Sequence, residues 1–175
     1  MNATSATHKH SYNPIGPVAY FITFRCYGTW LHGDKRGSMD RISHNKPGIP
    51  LLPSSHARQR QERKQMKHPP VLFTPQQRLV VDRTIRSVVE YNRWLLHALR
   101  VMQDHVHVIL TAGKNPELVM NSLKSWCTRR LREGGFIEET TKPWSRHGST
   151  RYLWNEDELK KACLYVNEGH KENNR

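Results

Sequence analysis

The 175-residue chain carries 28 Lys and Arg against 15 Asp and Glu, a net charge of +13 and a pI near 10.1. That balance points to a polyanionic partner, nucleic acid ahead of an anionic membrane surface. With 36% hydrophobic residues and a mean hydropathy of -0.78, the chain is polar but long enough for one domain with a proper core. No apolar run nears the roughly 20 residues of a membrane span. The polar residues 1–13 lack the apolar segment of a signal peptide, so a cytoplasmic protein with no membrane association is expected. Cys26, Cys127 and Cys163 are far apart with no CxxC pair, which argues against a disulfide framework or a zinc knuckle. Cys127 and Cys163 sit among apolar residues and read as small core hydrophobes.

In chain order, residues 1–17 read as a flexible arm and 18–25 (VAYFITFR) as a buried strand. A basic insertion follows at about 28–73, and its residues 54–68 suit a short basic helix. A loop this long inside a compact domain is functional or disordered. The bland reading is a solvated charge run. The functional reading is a nucleic-acid-binding insertion in which Trp30 and His32 stack on bases and Lys35, Arg36, Arg58, Arg60, Arg63 and Lys64 meet phosphates. Thr74-Pro75-Gln76-Gln77 starts a helix with a capping box, carried on by Leu79, Val81, Ile85, Val88 and Val89 to about Asn92. Residues 94–102 read as a strand that turns at Met102-Gln103-Asp104 into another, 104–110 (DHVHVIL).

Asn115-Pro116 opens the next helix, with Val119, Leu123, Trp126, Cys127 and Leu131 as its buried stripe. Lys124 and Arg129 are expected on its other faces as DNA contacts, and Gly134-Gly135 stops it. Residues 149–154 read as a last strand, in which Arg151 is a candidate phosphate contact and Tyr152 packs on the sheet. Asn155 caps a final helix, with acidic residues in its first turn, running to about Gly169, and residues 171–175 form a tail. The order predicts an α+β fold: a ferredoxin-like β-α-β-β-α-β antiparallel sheet with an added C-terminal helix, one domain over 18–170.

Alternation in the 104–110 strand puts Val106, Val108 and Leu110 on one face and His105 and His107 on the other, about 7 Å apart along the strand. Two imidazoles at that spacing can converge on one divalent ion. On the final helix Leu159, Ala162, Cys163 and Val166 form the apolar stripe, and Tyr165 lies about 110° from its centre. Such a tyrosine is an ordinary surface residue or a working phenol. With a basic chain and two strand histidines it suits phosphodiester chemistry, in which the ion polarises a phosphate oxygen and the phenol attacks.

The His105-Val106-His107 stretch, preceded by Met102-Gln103-Asp104, resembles the His-hydrophobe-His motif of the HUH single-strand nucleases. The nearest resemblance is to the tyrosine transposases of the smallest insertion sequences, and among them the REP-associated ones. Tyr20-Phe21-Ile22-Thr23-Phe24, Asn121-Ser122-Leu123-Lys124 and Leu164-Tyr165-Val166 add to it, from about Val18 to His170. The resemblance implies Mg²⁺ or Mn²⁺ as cofactor and single-stranded DNA beside a REP-like hairpin as substrate. It also implies Tyr165 as the nucleophile of a transposase that leaves a 5′-phosphotyrosine and a free 3′-hydroxyl, working as a monomer or homodimer. Relatives place a Gln or Asn metal ligand one turn after the tyrosine, where this chain has Gly169; His170 is the first alternative and Glu168 the second.

Three rival readings compete with this one. A histidine-triad hydrolase wants a third alternating histidine where Ile109 stands. An RNA-binding module lacks its signatures. The serious rival is a domesticated, non-catalytic DNA-hairpin-binding protein, which needs no tyrosine.

Overall fold

A computed structural model describes residues 16–35 and 53–168. The expected arm up to residue 15, Arg36 and the rest of 36–52, Gly169, His170 and the tail lie outside the described residues. The elements are β1 (Ala19–Cys26), α1 (His56–Gln65), α2 (Pro75–Tyr91), β2 (Leu95–Val101), β3 (His105–Thr111), α3 (Pro116–Glu133), β4 (Trp144–Leu153) and α4 (Glu156–Glu168). The sheet order is β2-β3-β1-β4 with every pair antiparallel, the ferredoxin-like arrangement expected.

Side-chain alternation sorts this sheet into two faces. Ile22, Phe24, Val106, Val108 and Leu110 point toward α2 and α3 and join Val81, Ile85, Val119, Met120, Leu123 and Leu131 in the main core. Each such side chain removed from water contributes about 1.5–3 kcal/mol. Ala19, Ala98, Ile109 and Leu153 point the other way, where Leu159, Ala162 and Val166 of α4 cover them in a smaller core. His105 and His107 share that second face.

Local signals set most boundaries. Thr74 Oγ1 accepts from Gln77 N, and the Gln77 side chain accepts from Thr74 N at 2.8 Å, closing the capping box of α2. Asn155 Oδ1 accepts from Glu158 N while the Glu158 carboxylate accepts from Trp154 N, the residue before the cap, so α4 starts with a variant of the same reciprocal exchange. Gly135 adopts φ 68 just past α3, a left-handed turn that residues with a Cβ enter at a cost.

Four expectations are corrected. β4 begins at Trp144, five residues earlier than predicted. It is an edge strand with one wet side, so Ser145, Arg146, His147 and Gly148 break the apolar alternation, yet Cys26 pairs with Trp144 and Phe24 with Gly148. Trp126 is 36% exposed rather than core. The buried stripe of α3 centres on the line of Cys127, Met120 and Leu131; at 100° per residue Trp126 falls about 120° from it and Lys124 only about 40°. Lys124, expected on an outward face, is therefore buried at 7% exposure. Its Nζ donates to the carbonyls of Ser145 (3.0 Å) and His147 (3.2 Å) on the edge strand. Burial lowers its pKa, with Glu117 partly opposing. Cys127 is fully buried as expected, whereas Cys163 stays half-buried at the rim of the smaller core.

Candidate active site

The site is built on the face of the sheet that α4 crosses. His105 and His107 project from β3, the strand between β1 and β2, and their Nε2 atoms stand 3.1 Å apart. Each ring is held from behind. His105 Nδ1 meets Asp104 Oδ1 at 2.5 Å, and His107 Nδ1 meets Thr23 Oγ1 at 2.8 Å. A carboxylate only accepts, so Asp104 keeps the His105 proton on Nδ1 and leaves Nε2 its lone pair. Two nitrogens each about 2.1 Å from one ion and at right angles would stand about 3.0 Å apart, so the pair fits adjacent positions around a single divalent cation. Among the described residues no third His, Cys, Asp or Glu completes the cluster.

Cross-strand register brings further groups to this face. Thr23 and Arg100 lie opposite His107 on either side, Arg25 lies opposite His105, and Phe21 pairs with Arg151. Phe21 is the hub: its ring centroid is 5.3 Å from that of His107 and 6.1 Å from that of Tyr165, and the Arg151 guanidinium sits 5.6 Å over it. The Tyr165 ring lies 5.9 Å from His107 of the same chain and keeps 49% exposure. Helix geometry explains both facts. Val166 is buried in the smaller core, and its predecessor is turned toward the rim, over the histidines.

The rim continues into the basic insertion. Thr29 Oγ1 donates to the carbonyls of Cys26 and Asp104, pinning the loop after β1 to the turn that carries His105. On that loop the Arg25 guanidinium stacks 3.4 Å over Trp30. Ser55 N donates to Gly33 O, which attaches the start of α1. Arg58, Arg60, Arg63 and Lys64 lie on α1, a helix with no buried residue, and Lys35 is exposed on the loop. Burial, and secondarily Asp104, push the Cys26 thiol up to about 12, so this neighbour of the site stays a neutral thiol.

Of the residues singled out from sequence, His105, His107, Tyr165 and Arg151 come together, and Trp30 joins through Arg25. Arg129 is on α3 over Trp126, on the opposite side of the sheet, and Lys124 is buried beneath it. Tyr152 packs edge-on against Tyr20 and stacks with Trp154, away from the histidines. Sequence reasoning missed Phe21, Thr23, Arg25, Asp104 and Arg100 as members of the site. Their strand parity was readable, but which residue stands opposite which histidine needs the register.

Solved structures of other proteins are similar to this chain. The chain is similar over 91% of its length to a REP-associated tyrosine transposase solved bound to a REP hairpin, at 10% identity and TM-score 0.48, covering 70% of that chain. It is similar over 95% of its length to a candidate transposase of Deinococcus radiodurans, at 13% identity and TM-score 0.46, covering 98% of that chain. No curated protein matches. A family model described as IS200-like transposase matches residues 65–157, just over half of the chain, from the last residue of α1 through both histidines to the first turn of α4. The chain belongs to the IS200-like transposase family.

Proposed function

We propose that this protein is a metal-dependent single-stranded DNA endonuclease and strand transferase that works through a 5′-phosphotyrosine. The observation that carries the reading is the convergence, in one chain, of two histidine Nε2 atoms 3.1 Å apart and a half-exposed tyrosine whose ring is 5.9 Å from one of them. His105 and His107 would hold Mg²⁺ or Mn²⁺, with His170 just beyond Tyr165 as third ligand, since Glu168 does not join the pair; when bound, the ion polarises a phosphate oxygen. Asp104 and Thr23 orient the two rings from behind.

The Tyr165 hydroxyl attacks phosphorus in line. Its O–P bond forms as the bond to the 3′-oxygen breaks; that oxygen leaves with the electron pair and takes up a proton. One phosphodiester replaces another, so a different 3′-hydroxyl can reverse the step and join a new strand. Arg25 and Arg151 flank the histidines from β1 and β4 and suit phosphates on either side of the scissile bond. The cations of α1, with Lys35 and Arg36, suit the backbone of a hairpin next to the cut. Trp30, already stacked by Arg25, offers a surface to an unpaired base.

The test is incubation of the protein with labelled single-stranded hairpin DNA and Mn²⁺, beside Tyr165→Phe, on a denaturing gel. A DNA-shifted protein band present in the wild type and absent in the variant is the expected result. No band, with tight hairpin binding in a gel shift, overturns the enzyme reading in favour of a hairpin-binding protein.

A further inference from the structure

We propose that Arg100 is a positioning residue for Tyr165, a latch that holds the tyrosine-bearing turn of α4 over the histidines of its own chain; this rests on the endonuclease reading above. Arg100 is on β2 directly opposite His107 in the ladder, so its side chain rises from the same face. Its Nη1 donates to the carbonyl of Asn167 at 2.9 Å, across 67 residues of chain. That carbonyl is on α4, two residues beyond Tyr165, and a charged guanidinium is a strong donor to it. Its planar fork has a fixed direction, and its Nε is simultaneously turned toward Met102 Sδ at 3.4 Å.

Among the described residues of the last turn of α4 Val166 is the buried apolar side chain, while Leu164 and Tyr165 are about half exposed. Val166, with one side of the Tyr165 ring near Phe21, fixes how deep the turn sits and resists a swing of the turn only weakly. The Arg100–Asn167 bond, two residues beyond Tyr165, opposes the swing and sets how far the phenol stands from the two Nε2 atoms. In-line attack is sensitive to that distance, and a displacement near 1 Å costs about 100-fold.

The experiment compares the full-length wild type with Arg100→Met and Arg100→Lys. It reads the rate of covalent adduct formation at saturating single-stranded hairpin DNA and Mn²⁺, the DNA affinity, and amide hydrogen exchange over α4 without DNA. Arg100→Met is expected to slow adduct formation about 10- to 100-fold, to keep DNA affinity within about twofold, and to lose exchange protection in the last turn of α4. Arg100→Lys, with a donor but no fork, is expected to recover part of both. An unchanged rate and unchanged protection in Arg100→Met overturn the latch. A rate loss matched by an equal loss of DNA affinity also overturns it, since Arg100 would then be a phosphate contact. If the wild type forms no adduct the endonuclease reading fails, and exchange protection still decides whether Arg100 fastens the helix.

Discussion

Asp104 and His105 are chain neighbours whose side chains nevertheless hydrogen-bond to each other, carboxylate to Nδ1 at 2.5 Å, at the tip of the β2–β3 hairpin. The contact fixes the ring orientation and the tautomer, leaving Nε2 to face His107. Asp104→Asn keeps the shape and removes the charge. It is expected to weaken Mn²⁺ binding about 10- to 100-fold, read by titration calorimetry, with Thr23→Val a smaller loss in the same direction. Equal Mn²⁺ affinity in wild type and Asp104→Asn would show that the carboxylate does not serve the pair.

The buried ammonium of Lys124 holds the edge strand. Lys124→Met deprives the Ser145 and His147 carbonyls of that donor and is expected to cost about 1–3 kcal/mol in urea unfolding. The pH dependence has a definite sign. The folded pKa lies below the ordinary 10.5, so between the two values the unfolded chain binds more protons and stability rises with pH. The wild type should therefore gain on Lys124→Met as pH climbs toward 10.5. A gap that narrows over that range would contradict the burial of the charge.

Gly148 stands where no side chain fits. A Cβ there would meet the Thr23 carbonyl at 2.5 Å and also Met120 Sδ. The thioether end can move aside, but the Thr23 carbonyl belongs to the central strand. Gly148→Ala is expected to destabilise by about 1–3 kcal/mol and, by shifting Thr23, to lower Mn²⁺ affinity as well. Gly113→Ala, with nothing within 4 Å of the new atom, is the control and should be close to neutral in a thermal melt.

Helix α1 contributes charge without core. Replacing Arg58, Arg60, Arg63 and Lys64 together by Ala is expected to leave the melting temperature unchanged, since α1 buries no residue. The slope of log affinity against log salt for single-stranded DNA should flatten by about 0.7 for every phosphate no longer neutralised. An unchanged slope would remove α1 from the DNA path.

The fold was largely readable because its signals are local. The capping residues Thr74 and Asn155, the period of two in 104–110 and the glycines after α3 each act within a few residues. The histidine pair was readable for the same reason, since alternation alone turns His105 and His107 to one face. What needed the third dimension was contact between strands and the exact rotation of a helix. Phe21, Arg25 and Arg100 reach the site only through register, Trp144 enters the core only because Phe24 and Phe73 lie beside it, and a rotation of α3 exchanges Trp126 with Lys124.

The two unequal cores also set the order in which abilities can disappear during descent. The larger one, between the sheet and helices α2 and α3, contains no part of the candidate chemistry, while α4 is fastened by Leu159, Ala162 and Val166 and carries the phenol. Erosion of the final helix would therefore reach the reaction before it reached the scaffold. What would remain is a folded, strongly cationic platform without the phenol.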